Sequence, residues 1–120
     1  MEKIVSLCRN SEFQRLYRRG RCAVRPSMVV YCGKGIPGGL RLGITAGKKV
    51  GGAVCRNRAK RVITAAFRSC LPQIKEGYDF VIVARTRILS VKSTDVMASL
   101  LKLLKKANLC CELQDENSIN

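Results

Sequence analysis

Residues 48–68 read KKVGGAVCRNRAKRVITAAFR. Seven of these 21 positions are Lys or Arg, and none is acidic. From Ala53 to Cys70 the chain has a helical period. Ala59, Ile63, Ala66 and Cys70 fall on one apolar stripe, flanked by Val62 and Phe67. Asn57, Lys60, Arg61, Thr64 and Arg68 fall on the opposite arc, and Arg56 and Arg58 lie towards the two flanks. Leu71-Pro72 is a natural stop. Upstream, Leu40 to Ala46 (LRLGITA) alternates as a strand, with Leu40, Leu42, Ile44 and Ala46 on one face and Arg41 and Thr45 on the other. Downstream, Tyr78 to Ala84 (YDFVIVA) reads as a well-buried strand. Strand, helix and strand in this order have the length of a βαβ unit.

The flanks complete a small α+β domain. In SEFQRLYRRG, Ser11 is placed to cap a helix, with Gln14 completing a capping box. Phe13, Leu16 and Tyr17 share one face of that helix, Arg15, Arg18 and Arg19 lie off it, and Gly20 ends it. Ser27 to Cys32 (SMVVYC) reads as a strand with Pro26 at its start. The turn-rich GKGIPGG at 33–39 suggests a hairpin from this strand to the one at Leu40. Ser93 to Ala107 fits a C-terminal helix whose apolar face is Val96, Leu100, Leu103, Leu104 and Ala107. The expected architecture is a mixed sheet of about four strands with helices packed on it. Part of the other face, or a groove beside the first helix, is left open. One domain spans 1–111, and 112–120 (ELQDENSIN from Glu112) is a polar, acidic and frayed tail.

Charge narrows the function. The net charge is +15, and between Glu12 and Glu76 there are fifteen Lys or Arg and no acidic residue. A solvated helix face ordinarily mixes signs, because opposite charges one turn apart stabilise a helix and like charges destabilise it. A face of one sign, extended upstream by Lys48 and Lys49, calls for a polyanion, and nucleic acid is the commonest one. Arginine grips phosphate or a guanine edge through paired bonds, and Asn57 offers donors and an acceptor to sugar or base edges. No segment approaches a membrane span, and the N-terminal apolar run is too short for a signal peptide. The expected compartment is the cytoplasm.

Catalysis by the protein alone is not expected. There is no His, Asp79 and Asp95 sit in separate elements, and no phosphate-binding loop or nucleophile–base pair is evident. The seven cysteines, Cys8, Cys22, Cys32, Cys55, Cys70, Cys110 and Cys111, include no C-x-x-C spacing. They read as small hydrophobes rather than as a metal or redox site.

The run from Lys48 to Arg68 resembles the RNR region of the bacterial ribonuclease P protein subunit, where a strand ends in Lys-Lys-(Val/Ile)-Gly and leads to an Arg-Asn-Arg helix. The resemblance covers roughly residues 7–108. EFQRLYRRG lies in the first helix, VVY in a strand, RLGI before the lysines and YDFVIVAR after the helix. It implies a ribosomal-protein-like sandwich with a left-handed βαβ crossover, against the usual hand. It implies that Arg56, Asn57, Arg58, Lys60 and Arg61 contact a catalytic RNA subunit, supported by Lys48, Lys49 and Arg68. It implies that Phe13, Tyr17 and Tyr31 line a cleft for the 5′ leader of precursor tRNA. Read from the residues alone, these three aromatics favour core packing. The RNA subunit would hold the catalytic magnesium ions, with no metal site and no catalytic residue on the protein, no membrane and no obligate protein partner. Ser6, Ala46-Gly47 and Thr64 depart from the family pattern, so a leader contact near Gly47 and a phosphate contact at position 64 do not carry over. A ribosomal or RNA-chaperone protein shares the charge and fold class. A DNA-binding regulator would show a dimerisation element or helix-turn-helix pattern, and neither is seen.

Overall fold

A computed structural model describes residues 5–7, 9–35, 39–70, 74 and 77–106. Five strands form one mixed sheet. They are β1 (Val5–Ser6), β2 (Arg21–Val24), β3 (Met28–Lys34), β4 (Leu40–Ala46) and β5 (Tyr78–Ala84), in the order β1-β4-β5-β3-β2. The helices are α1 (Asn10–Arg19), α2 (Ala53–Cys70) and α3 (Ser93–Lys106). Leu71-Pro72, Ala107, Cys8, Cys110, Cys111 and the acidic tail lie outside the described residues.

The βαβ unit stands as the periodicity predicts. β4 and β5 pair in parallel from Leu40↔Tyr78 to Ala46↔Ala84, with α2 as the crossover. Strand β5 is central, which is why its sequence is apolar on both faces. Phe80, Ile82 and Ala84 pack with Met28, Val30, Leu42, the α2 stripe and Val96, Leu100, Leu103 and Leu104 of α3. The Phe67 and Phe80 rings meet edge-on, centroids 5.4 Å apart. On the other face Val81 packs with Leu7 and Leu16, and Phe13, Tyr17, Tyr31 and Val83 are half-buried against them.

Three expectations need correction. The sheet has five strands rather than about four, because the edge strands β1 (VS) and β2 (RCAV) span only two and four residues, too few to show an alternation. The expected hairpin between β3 and β4 does not form. β5 lies between them, antiparallel to β3 from Met28↔Ala84 to Lys34↔Tyr78. Alternation tells which residues share a face, not which strand lies alongside, and the strand apolar on both faces takes the middle. The hairpin is instead β2–β3, closed by mutual Arg25 and Met28 backbone hydrogen bonds of 2.9 and 3.3 Å. Finally, α1 starts at Asn10 with Arg9 as an extended cap that makes no side-chain hydrogen bond, so Ser11 lies inside the first turn. The Glu12 and Phe13 amides donate to the Arg9 carbonyl.

Two glycines are needed for different reasons. Gly20 ends α1 with ordinary extended geometry. A Cβ there would lie 2.6 Å from the Leu16 carbonyl oxygen and 2.7 Å from that of Cys32, so the chain passes between helix and strand only without a side chain. Gly51 has φ 141°, a region that L side chains rarely adopt. It turns the 3₁₀ segment Lys48–Val50 into α2.

Cys32 and Cys70 are buried members of the core, whereas Cys22 is exposed on the edge strand. Burial pushes the Cys32 thiol up to about 11, from an ordinary 9.0, against a lowering influence from Arg21. The unfolded thiol therefore ionises first, so this residue's contribution to stability holds below pH 9 and is lost as pH rises towards 11. Alkylation at pH 8 followed by mass spectrometry should modify Cys22 readily and Cys32 at least about 100-fold more slowly, since only an accessible thiolate reacts.

Candidate nucleic-acid interface

Helix α2 buries Ala59, Ile63, Ala66, Phe67 and Cys70 and turns its cations outward. Asn57, Arg58, Lys60, Arg61 and Arg68 are exposed, as are Lys48 and Lys49 in the preceding 3₁₀ turn, while Arg56 is half-buried. The Arg56 Nε is buried without a hydrogen-bond partner among the described residues. Also among the described residues, no carboxylate pairs with these cations. Arg15–Asp79, Arg41–Asp79 and Arg41–Glu12 pair on the other side of the sheet. All eight residues expected to contact RNA therefore belong to one helix and the turn that leads into it.

The three expected aromatics come together on the opposite face. Phe13 and Tyr17 of α1 are 6.4 Å apart between centroids, and Tyr17 meets Tyr31 of β3 at 4.9 Å, both edge-on. Phe13 lies against Gly43 of β4, where a Cβ would sit 2.6 Å from its ring. Helix α1 thus crosses β5 from β4 to β3. Burial raises the Tyr31 pKa, with smaller contributions from Cys22 and Tyr17, so the phenol stays neutral at physiological pH. Beyond the rings lies the cross-strand row Val24, Val29, Val83 and Thr45 on the same face. Val24 is 57% exposed. The cleft therefore has an apolar floor and an aromatic wall, which suits unpaired bases.

A groove of about 350 Å³ at the sheet edge is lined in part by Leu7, Gly43, Lys60 and Arg68. Gly43 also underlies Phe13. Ser6 and Thr64 line this same groove, so two positions that depart from the family pattern are neighbours in space. They lie 58 residues apart in the chain, and no local spacing could have paired them.

Sequence reasoning missed a charged cluster behind α1. Asp79, fully buried, accepts from Arg15 Nη2 at 2.6 Å and from Arg41 Nε and Nη2 at 2.8 and 2.7 Å. Arg41 Nη1 also donates to Glu12 Oε2 at 2.7 Å. The bond to Asp79, opposed by burial and assisted by Glu12, raises the Arg41 pKa above its already high ordinary value. The only local signal was an Asp inside an apolar strand, which demands a buried partner. A second basic groove, of about 550 Å³, was also not foreseen. Arg25, Arg87 and Lys102 line it together with Asp95.

A single-signed helix on one face of the sheet and an aromatic cleft on the other make this a basic α+β domain with surfaces suited to nucleic acid. The family model for Ribonuclease P matches residues 1–108. The ribonuclease P protein component of Clostridium botulinum (strain Loch Maree / Type A3) is 39% identical over 102 residues, 84% of this chain and 92% of that protein. Among solved structures, the Staphylococcus aureus RNase P protein superposes with a TM-score of 0.78 at 32% identity, covering 90% of this chain and 99% of that one. The Thermotoga maritima RNase P protein gives 0.75 at 30% identity, covering 84% and 96%. The chain belongs to the ribonuclease P protein family and is a protein component of that endonuclease, a ribonucleoprotein of tRNA processing.

Proposed function

We propose that this chain docks the catalytic RNA subunit on the outward face of α2 and holds the 5′ leader of precursor tRNA in the aromatic cleft. It thereby assists magnesium-dependent removal of the leader in the cytoplasm. The observation that carries the reading is a basic helix with no carboxylate partner among the described residues, together with an aromatic cleft on the other face of the same sheet. Cations at Lys48, Lys49, Arg56, Arg58, Lys60, Arg61 and Arg68 would offset the repulsion between RNA subunit and substrate, so that less magnesium is needed for assembly. Phe13, Tyr17 and Tyr31 present ring faces and edges that accept any base, as a leader of variable sequence requires.

Magnesium, when held mainly by the RNA subunit, would activate water and stabilise the leaving oxygen. Among the described residues no three His, Cys, Asp or Glu side chains converge. The chain's own residues would bind and orient the two RNAs.

The decisive experiment is leader cleavage of a precursor tRNA at low magnesium, comparing the protein alone, a bacterial ribonuclease P RNA alone, and both together. Cleavage at the mature 5′ end only in the mixture is expected. No effect of the protein with a compatible RNA would overturn the reading in favour of a ribosomal or chaperone role. Tyr31→Ala should weaken precursor binding about tenfold, since one stacked base contributes about 1–3 kcal/mol. Mature tRNA, lacking a leader, should bind as before. Equal losses for both would remove the leader from the cleft.

A further inference from the structure

We propose that Asp79 is a positioning residue: its carboxylate sets the roll of α1 on the sheet, and through it the width of the aromatic cleft. The proposal rests on the reading of that cleft as the leader site. Helix α1 touches the sheet through Leu16, which is 1% exposed and packs with Leu7 and Val81. Taken from Leu16 at about 100° per residue, Phe13 and Tyr17 lie about 60° and 100° round one side of the helix. Glu12 and Arg15 lie about 40° and 100° round the other. Leu16 is thus a pivot, with aromatic rings on one flank and charges on the other.

The charged flank is tied to the sheet by specific bonds. Arg15 Nη2 reaches Asp79 Oδ2 at 2.6 Å, and Arg15 Nη1 reaches the Lys34 carbonyl at 3.0 Å. Glu12 is held by Arg41 Nη1 at 2.7 Å, and Arg41 in turn holds both oxygens of Asp79. Two carboxylates and two guanidiniums cancel, so the cluster is neutral inside a chain of net charge +15. Gly35 leaves the space that the Asp79 carboxylate occupies, because a Cβ there would collide with it. On the ring flank, among the described residues, no side-chain hydrogen bond ties Phe13 or Tyr17 to the sheet, and the bond of Tyr31 runs to Cys22 within the sheet. Its rings are half-buried and meet edge-on. A helix with its side chains is about 10–12 Å across, so a roll of about 20° moves a side-chain tip by about 2 Å. That is enough to part Tyr17 from Tyr31 or to press them together. The directional bonds on the charged flank resist this roll, which the non-directional contact of Leu16 does not.

The test uses the full chain with its RNA. Arg15→Met cuts the tie from α1 to Asp79 and leaves Asp79–Arg41 in place. The Arg15 side chain is 41% exposed, so its loss opens no core cavity. Precursor affinity should fall about fivefold, with affinities for mature tRNA and the RNA subunit unchanged within about twofold. Ring-to-ring NMR cross-peaks between Tyr17 and Tyr31 in the free protein should weaken several-fold. Asp79→Asn should do the same more strongly, and if that variant does not fold, Arg15→Met carries the test. Wild-type cross-peaks and precursor affinity in the folded variants would overturn the proposal. Tyr31→Ala, run alongside, separates the two failures. If it too leaves precursor affinity intact, the leader reading has failed. The NMR contact then decides whether Asp79 positions α1, retained cross-peaks against and weakened ones in favour.

Discussion

Arg58→Ala combined with Arg61→Ala should weaken binding of the ribonuclease P RNA by about 100-fold, and either change alone by about tenfold. Both side chains are exposed on α2, three residues and so about one turn apart, where like charges repel. A cation bonded to a phosphate is worth about 1.5–3 kcal/mol, and a tenfold loss per contact corresponds to about 1.4 kcal/mol. The slope of log affinity against log salt should become shallower by about 0.7–0.9 for each phosphate contact removed. Folding should not suffer. The double variant relieves repulsion and introduces the strongest helix former, so its thermal midpoint should hold or rise slightly. Lower affinity with equal or greater stability separates a docking surface from a structural one. Unchanged affinity and salt slope in filter binding would remove these two residues from the interface.

Phe67→Ala should be the most damaging single change to the fold, costing about 3–5 kcal/mol. Phe67 is fully buried and meets Phe80 edge-on at the centre of the α2–β5 contact. A domain of this size has about 5–15 kcal/mol in total, so the variant should be close to marginal. Denaturant titration followed by circular dichroism should show the midpoint falling while the slope stays the same. Phe67→Leu, which refills most of the space, should lose much less. A loss below about 1 kcal/mol for Phe67→Ala would contradict the packing described here. At temperatures where the variant is folded, RNA binding should survive, because the outward face of α2 is untouched.

How much of this was legible beforehand differs element by element. Helix α2 and strands β4 and β5 have the predicted bounds of Ala53–Cys70, Leu40–Ala46 and Tyr78–Ala84. Helix α2 and strand β4 have clear apolar periodicity, and β5 is a nearly continuous apolar run that follows Gly77. The α2 stripe is buried as its spacing required. The cations of α2 were legible for the same reason: a helix that buries one stripe must expose the opposite arc.

Strand neighbours were not legible. The proximity of β3 and β4 in the chain suggested a hairpin, but β5, which begins more than thirty residues after β4, lies between them. Pairing is chosen by burial summed over the whole sheet, which a local pattern does not contain. The cleft lay in between. By residue type Phe13, Tyr17 and Tyr31 favoured the core, and the family resemblance alone favoured the cleft. Their half-buried placement beside an uncovered row of the sheet depends on where α1 crosses. The Asp79 cluster was beyond local reading altogether, because its members come from α1, β4 and β5.

The sequence by itself thus determined the βαβ unit, the buried stripe of α2 and the single-signed face opposite it, because these follow from periodicity and composition within one element. Only the tertiary structure decided the five-strand order, the placing of basic helix and aromatic cleft on opposite faces of one sheet, and the ion cluster behind α1. Those depend on contacts between residues far apart in the chain, and such contacts are selected by the packing of the whole rather than by any local propensity.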